Sequence, residues 1–280
     1  MTLIRPAEPE DFERLYPLFL GFNEPRPAKE TFRRLFVRLW GNLDDPFGYL
    51  LEDEGRPVGF LGTLFSQREI EGREEKFCNL TTWIVAPEYR SEGLSLLSRV
   101  LNRTGVTFTN FTGLKVAPIL RRFGFQVLDE RARILLPLPF AGAGEISLDP
   151  ERIAPCLDDH DRRILEDHRP FAFPHLLLRR GGEYAYLIVK PVRRKRLPLA
   201  EVHYLSHPAV FARLAPSLLA RLCLRLGVLG LLVGEHYLAA QRVSLPGATI
   251  PQRIPRLFRS NSVPRQAMDT LYSELQVLDL

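Results

Sequence analysis

The sequence predicts an α/β fold of the α+β type, built on mixed β-sheet and divided into two domains. Three observations carry this expectation. The chain has 280 residues, about two domains' worth at ~100–200 residues each. Its apolar pattern switches repeatedly between a period of two and a period of 3.6, so strands alternate with helices along the chain. The composition, 45% hydrophobic, 10% aromatic and 25% charged, is that of a packed globular protein and excludes a disordered chain, a collagen-like repeat and a disulfide scaffold.

The first half is read element by element. Leu3-Ile4-Arg5 is a short strand ended by Pro6. Asp11 to Leu20 places Phe12, Leu15, Tyr16 and Phe19 at helical spacing behind an acidic start, which complements the helix dipole. A second amphipathic helix is expected from about Ala28 to Trp40, with Phe32, Leu35, Phe36 and Leu39 as its apolar face. From Phe47 the period becomes two. Two hairpins follow, turning at Asp53-Glu54-Gly55 and at Glu71-Gly72. The second leads into a long strand from about Glu75 to Val85, a polar break, and a helix from Leu94 to Asn102. A strand at Val106 to Asn110, a helix around Lys115 to Arg122 and a strand through Phe125 to Leu136 complete the half.

Charge and residue usage set the halves apart. The first 140 residues hold 19 basic and 19 acidic side chains, so the whole excess of +5 lies beyond them, and so do all six histidines. The three cysteines, Cys78, Cys156 and Cys223, are odd in number and widely spaced, which argues against a secreted disulfide framework and a zinc ribbon. The N-terminal residues lack the apolar core of a signal peptide. Leu218 to Leu238 is interrupted by Arg221, Arg225, Glu235 and three glycines, so it reads as a buried helix and a buried strand instead of a bilayer span. The expectation is a soluble, cytoplasmic protein without a membrane partner.

The chemical content of the first half lies where the long strand ends. Strand, short loop, glycine and helix start together make an anion site, because first-turn amides lack helical partners and the dipole is positive there. Gly93 removes a Cβ where a phosphate must approach the backbone. Arg90 adds a charge at the rim.

Val85-x-Pro87-x-x-Arg90-x-x-Gly93-x-Ser95 resembles the acyl-CoA signature of the GNAT superfamily, the Gcn5-related N-acetyltransferases. The element order β-α-α-β-β-β-α-β-α-β matches that fold, and Phe123-Gly124-Phe125 resembles its Gly-Phe step into the late strand. The resemblance covers roughly residues 1–138. It implies the acyl-CoA N-acyltransferase fold and acetyl-CoA or another acyl-CoA as co-substrate. By position, the main chain of Ile84 and Val85 would pair with the pantetheine arm. The amides of Arg90, Ser91, Glu92, Gly93, Leu94 and Ser95 would cradle the pyrophosphate, and Asn110 would lie near the thiol end. The sequence departs from the family in three ways: Ser95 stands where Gly or Ala is usual, Leu120 where a general-acid Tyr is common, and the long strand offers Cys78, Asn79, Thr81 and Thr82 but no carboxylate base. No catalytic residue is assigned. Cys78 is read as a small buried hydrophobe, since no histidine occurs nearby in sequence to activate it. The glutamates at positions 69, 71, 74 and 75 read as a solvated cluster, and Trp83 as core.

The second half repeats the rhythm without the signature. A linker is expected at 139–145, followed by a helix at Leu157 to Asp167 and a hairpin around Gly181-Gly182. A strand at Leu199 to Leu205, a helix at Pro208 to Leu226 and a strand at Val228 to Val233 come next. The domains are thus 1–138, GNAT-like and acyl-CoA-binding, and 146–280, a degenerate GNAT-like copy in tandem. Met268 to Leu280 is expected to close a sheet edge. His203 and His207 have a zinc-like spacing, but strand and loop do not converge them, so no metal is expected. Arg193-Arg194-Lys195-Arg196, with Arg253, Arg256, Arg259 and Arg265, lacks interleaved aromatics and reads as a solvated loop and tail, so nucleic acid is not an expected partner. The expected activity is acyl transfer, most simply of acetyl, to the amine of a small molecule, amino sugar or peptide, including an anionic one drawn by the basic residues. The alternatives are a non-catalytic acyl-CoA or acceptor-binding module and, further off, a tRNA-dependent aminoacyl transferase.

Overall fold

The structure, a computed structural model, describes residues 2–22, 26–42, 44–111, 114–139 and 142–280. It divides into two compact units: Met1–Gln126 with Arg256–Pro264 and Tyr272–Leu280, and Val127–Pro255 with Arg265–Leu271. Each unit therefore takes in chain from both halves, unlike the contiguous domains expected at 1–138 and 146–280.

In the first unit β1 (Thr2–Pro6) is followed by α1 (Phe12–Phe19) and the short α2 (Lys29–Arg33). Strands β2 (Gly48–Asp53), β3 (Arg56–Ile70) and β4 (Arg73–Val85) then form the two expected hairpins. A 3-10 turn at Pro87–Glu92 runs into α3 (Gly93–Leu101), and β5 (Val106–Asn110) and α4 (Ala117–Arg122) follow. The strands β1 to β4 are successively antiparallel, β4 is parallel to β5, and β5 is antiparallel to Leu257–Arg259. The helix expected over 28–40 is shorter: its α-helical part ends at Arg33, a 3-10 turn carries it to Phe36, and Trp40 makes a bridge to Ser66. Its apolar side chains are still used as predicted. Phe12, Phe19, Phe32 and Phe36 pack with Phe60 of β3 at ring distances of 5.0–5.7 Å, and all five are buried.

The second unit opens with β6 (Gln126–Leu135), β7 (Glu145–Ser147), α5 (Pro150–Ile153) and α6 (Asp159–His168). Next come β8 (His175–Arg180), β9 (Glu183–Arg194), β10 (Leu197–Leu205), α7 (Pro208–Leu226), β11 (Leu231–Gly234) and α8 (Glu235–Leu238). Strands β7 to β10 are successively antiparallel, β10 is parallel to β11, and β11 is antiparallel to β6. Gly227, at φ +67°, closes α7 in the left-handed conformation that glycine adopts without a Cβ penalty. No helix among the described residues is long and apolar enough to cross a membrane.

The two units share one topology: four antiparallel strands, a parallel fifth after a helix, and an antiparallel sixth. The sixth strand is exchanged. Strand β6, expected to complete the first half, pairs with β11 of the second unit. The last residues of β12 (Gly247–Arg259) complete the first unit beside β5. The edge expected of Met268–Leu280 is corrected accordingly. That segment follows a 3-10 turn at Arg265–Ala267 and holds a single helical turn, α9 (Glu274–Val277), packed inward, with Leu271, Leu275, Val277 and Leu278 buried. The expected linker 139–145 includes Phe140 and Ala141, which lie outside the described residues. Its end is fastened within the second unit, where the Gly142 amide donates to Ser217 O at 2.8 Å and Arg221 Nη1 to Gly144 O at 3.0 Å.

Candidate functional site

Strand β4 carries the candidate site because it loses one of its two neighbours partway along. It pairs with β3 from Ile70↔Arg73 through Gly59↔Val85. Its pairing with β5 covers only Lys76↔Val106 to Asn79↔Thr109. From Leu80 to Val85 no strand pairs with it on the β5 side among the described residues, and only the Asn110 side chain is seen to reach it there, at Leu80 O. A bulge accompanies the divergence: the register shifts between Phe60 and Gly62, and Thr82 sits at φ +50°. Bulges bend and twist a strand, and this one lies just past the point where β4 stops pairing with β5. Ile84 and Val85, predicted to meet a pantetheine arm, are half-buried on this unaccompanied stretch.

Beyond Val85 the predicted loop is instead the 3-10 turn Pro87–Glu92, continuous with α3. Tyr89 O–H donates to Asp53 Oδ2 at 2.7 Å, anchoring the turn to the β2–β3 hairpin. That bond holds the Asp53 carboxyl below its ordinary range and the Tyr89 phenol above its own. The Gly93 amide donates to Arg90 O, so this amide is not an orphan at a bare helix start.

Gly93 itself has φ −57°, and a Cβ built there would meet Val85 Cγ2 at 3.5 Å and Trp83 Nε1 at 3.8 Å. Those are ordinary contacts, so neither conformation nor packing requires glycine. Arg90, Ser91, Leu94 and Ser95 are exposed, Glu92 is half-buried and Gly93 is buried. The Arg90 guanidinium has no ion pair or hydrogen bond to the described residues. Trp83, read as core, is half-buried beside Gly93.

Asn110 does end β5, but its side chain is buried and its Nδ2 donates to Leu80 O at 2.9 Å. Cys78 is buried, and burial pushes its thiol far above the ordinary range, which suits a structural residue and not a nucleophile. Leu120 is buried in α4. Glu69, Glu71 and Glu74 are exposed around the β3–β4 turn, and the half-buried Glu75 accepts from Ser262 Oγ at 2.7 Å.

In the second unit the two spaced histidines have separate surroundings. His203 Nδ1 lies 2.9 Å from Thr270 Oγ1 and is buried, while His207 Nδ1 lies 2.7 Å from Ser206 Oγ. Asp158, Asp161 and His207 come within 4.8 Å of one another. The Asp161 carboxylate, however, already accepts from Tyr204 O–H at 2.6 Å and Tyr184 O–H at 2.9 Å, which leaves it a structural acceptor. The basic run 193–196 is the β9–β10 turn, with Lys195 and Arg196 at positive φ and Arg194 Nη2 3.2 Å from Glu201 Oε2. Arg256 and Arg259 belong to the first unit and Arg265 to the second; the Arg253 side chain lies outside those described.

Two buried groups escaped sequence reading. Asp129 accepts from the His236 backbone N–H at 2.9 Å and from its Nδ1, beside Gly234, where a Cβ would collide with both side chains. Glu274 lies against the middle of β4 and the end of β5: Phe111 N–H donates to its Oε1 and its own N–H donates to Asn79 Oδ1, each at 3.0 Å. Neither had a local signal, since the partners stand 107, 163 and 195 residues apart.

Residues 11–96, from the start of α1 through the glycine turn into α3, match the acetyltransferase (GNAT) family. That match is confined to residues 11–96, and the fold of the chain is the acyl-CoA N-acyltransferase fold. Among solved structures it is similar to a GCN5-related N-acetyltransferase from Anabaena variabilis ATCC 29413, with 12% identity over 92% of this chain and 72% of that one at a TM-score of 0.59. A GCN5-related N-acetyltransferase from Kribbella flavida matches with 14% identity over 95% and 72% at 0.59. Eis1 from Mycobacterium abscessus matches with 17% identity over 92% and 73% at 0.53. At these identities the likeness concerns the fold alone. No curated protein matches.

Proposed function

We propose that the chain is an acyl-CoA-dependent N-acyltransferase, most simply moving acetyl from acetyl-CoA to the amine of a small-molecule, amino-sugar or peptide acceptor. The observation that carries this reading is the unaccompanied stretch Leu80–Val85 leading directly to a helix-opening glycine that the protein's own packing does not need. A pantetheine arm supplies amide groups that can pair with the free side of such a strand. A diphosphate supplies the negative charge that a helix N-terminus and Arg90, which has no ion pair among the described residues, favour. Binding of the diphosphate would replace the short Gly93-to-Arg90 bond, a rearrangement of one turn.

The chemistry asked of the protein is modest because a thioester is already activated. The amine nitrogen bonds to the carbonyl carbon, the carbon–sulfur bond breaks, the thiolate leaves with the electron pair, and the proton lost from nitrogen passes through water to that thiolate. The chain has to hold both reactants at ~3–3.5 Å and donate a hydrogen bond to the oxygen that gains charge. A main-chain N–H near Val85 is suited to that donation.

The experiment is thermal denaturation with and without CoA or acetyl-CoA. A rise in Tm is expected for the native protein and none for Gly93→Trp, whose indole would fill the phosphate position. A shift that persists in Gly93→Trp would discard this pocket. A second reading, a binding module without turnover, is favoured by Leu120, an apolar side chain where a proton donor is common in the family. Acyl transfer assayed over a panel of amines separates the two, since reproducible product removes the second reading.

A further inference from the structure

Where two parallel strands part, their facing main-chain groups lose their partners, and the strands gain by zipping further together unless something else satisfies those groups. Here side chains satisfy groups at the point where β4 and β5 part. Asn79 Nδ2 donates to Thr109 Oγ1 at 3.1 Å and Asn110 Nδ2 donates to Leu80 O at 2.9 Å. Two further groups are met from the C-terminal segment. Phe111 N–H, just past the end of β5, donates to Glu274 Oε1, and Asn79 Oδ1 receives the Glu274 N–H. Asn79, Thr109, Asn110, Phe111 and Glu274 are all buried. The turn bearing Glu274 is itself fixed: Ser273 and Gln276 form a capping box, and Leu275 and Val277 are buried.

We propose that the C-terminal turn is a wedge: Glu274, acting through Asn79 and Phe111, holds β4 and β5 apart and thereby keeps open the gap along Leu80–Val85. Glu274 is a positioning residue in this account. That an acyl-CoA arm fills the gap rests on the function proposed above; that the wedge makes the gap does not. Removing the carboxylate frees Phe111 N–H to find another acceptor, and the nearest remedy is further pairing between the strands. Glu274→Gln keeps an oxygen at the same reach and should preserve the gap.

The test uses the full chain with Glu274→Ala and Glu274→Gln, read in two ways. Amide hydrogen exchange over residues 80–85 and at Phe111 is expected to slow at least tenfold in Glu274→Ala, as the strands pair further, and to stay native in Glu274→Gln. The acetyl-CoA-induced rise in Tm is expected to fall by half or more in Glu274→Ala and to persist in Glu274→Gln. Unchanged or faster exchange in Glu274→Ala overturns the wedge. So does a lower basal Tm with the full acetyl-CoA shift retained, the mark of a merely structural side chain. If the native protein shows no acetyl-CoA shift, the acyl-CoA reading fails while the exchange measurement still decides the wedge. Should Glu274→Ala not fold, Asn79→Ala, which removes the acceptor of the Glu274 N–H, is expected to slow the same amides, and native exchange there overturns the proposal.

Discussion

Gly93 is a glycine whose reason lies outside the protein's own packing. Its helical φ suits any residue, and a Cβ would meet neighbours only at ordinary distances. Gly93→Ala is therefore expected to leave basal Tm unchanged or slightly raised, since the added Cβ displaces no neighbour and alanine favours a helix over glycine by up to about 1 kcal/mol, while weakening the CoA-induced shift; calorimetric scans with and without CoA check both. Gly62 is the contrast. A Cβ there would lie 2.9 Å from Thr81 Cγ2, at the bulge between β3 and β4. Gly62→Val should destabilise the fold by about 1–3 kcal/mol through overpacking, as measured by urea denaturation. Cys78 offers a further check at this scale. Its buried thiol, pushed far up by desolvation, should resist a thiol reagent in the native protein, whereas half-buried Cys156 should react. These roles were unevenly legible. The cysteine's inertness follows from composition around it, but whether a glycine serves a turn, a close approach or a ligand depends on neighbours that sequence does not place.

At the scale of elements, periodicity was informative because it reflects local burial. All ten elements of the first half occur in the predicted order, including both glycine-turn hairpins. The failures are at ends. The second helix keeps its α-helical form only to Arg33, and Trp40, inside the expected helix, instead makes a bridge with Ser66, a tertiary pairing that its helical spacing does not reveal. Strand β8 carries a pH-sensitive residue that only packing reveals. His175 is buried, its Nδ1 2.6 Å from Tyr186 Oη, and burial pushes its pKa from 6.5 down to about 4. Above pH 6.5 the imidazole is neutral in folded and unfolded chains alike, so it contributes nothing there. Between about 6.5 and 4 the unfolded chain takes the proton and the folded chain does not, so stability is lost as the pH is lowered through that window, by roughly 3 kcal/mol in full. His175→Gln should flatten that part of the stability–pH curve, as read by denaturant melts at pH 7 and 4.5.

At the scale of the whole molecule, the exchange of sixth strands decides what can fold. Residues 1–138 contain the family match and the signature, yet the first unit also needs Leu257–Arg259 beside β5 and the buried turn at Glu274–Val277. A fragment ending at residue 138 is expected to lack a cooperative thermal transition, because the edge of β5 and the Phe111 amide lose their partners. Circular dichroism melts check this; a sharp, native-like transition in the fragment would contradict it.

The sequence by itself determined the alternation of strands and helices, the hairpin turns, the apolar faces and the signature at Val85–Ser95, because each is written in residues a few positions apart. Only the tertiary structure decided which strand completes which unit, how far β5 accompanies β4, and that Glu274 and His236 meet partners more than a hundred residues away. The physical reason is that periodicity records which face of an element is buried, whereas pairing partners and buried polar contacts depend on which main-chain and side-chain groups remain unsatisfied once the whole chain is packed.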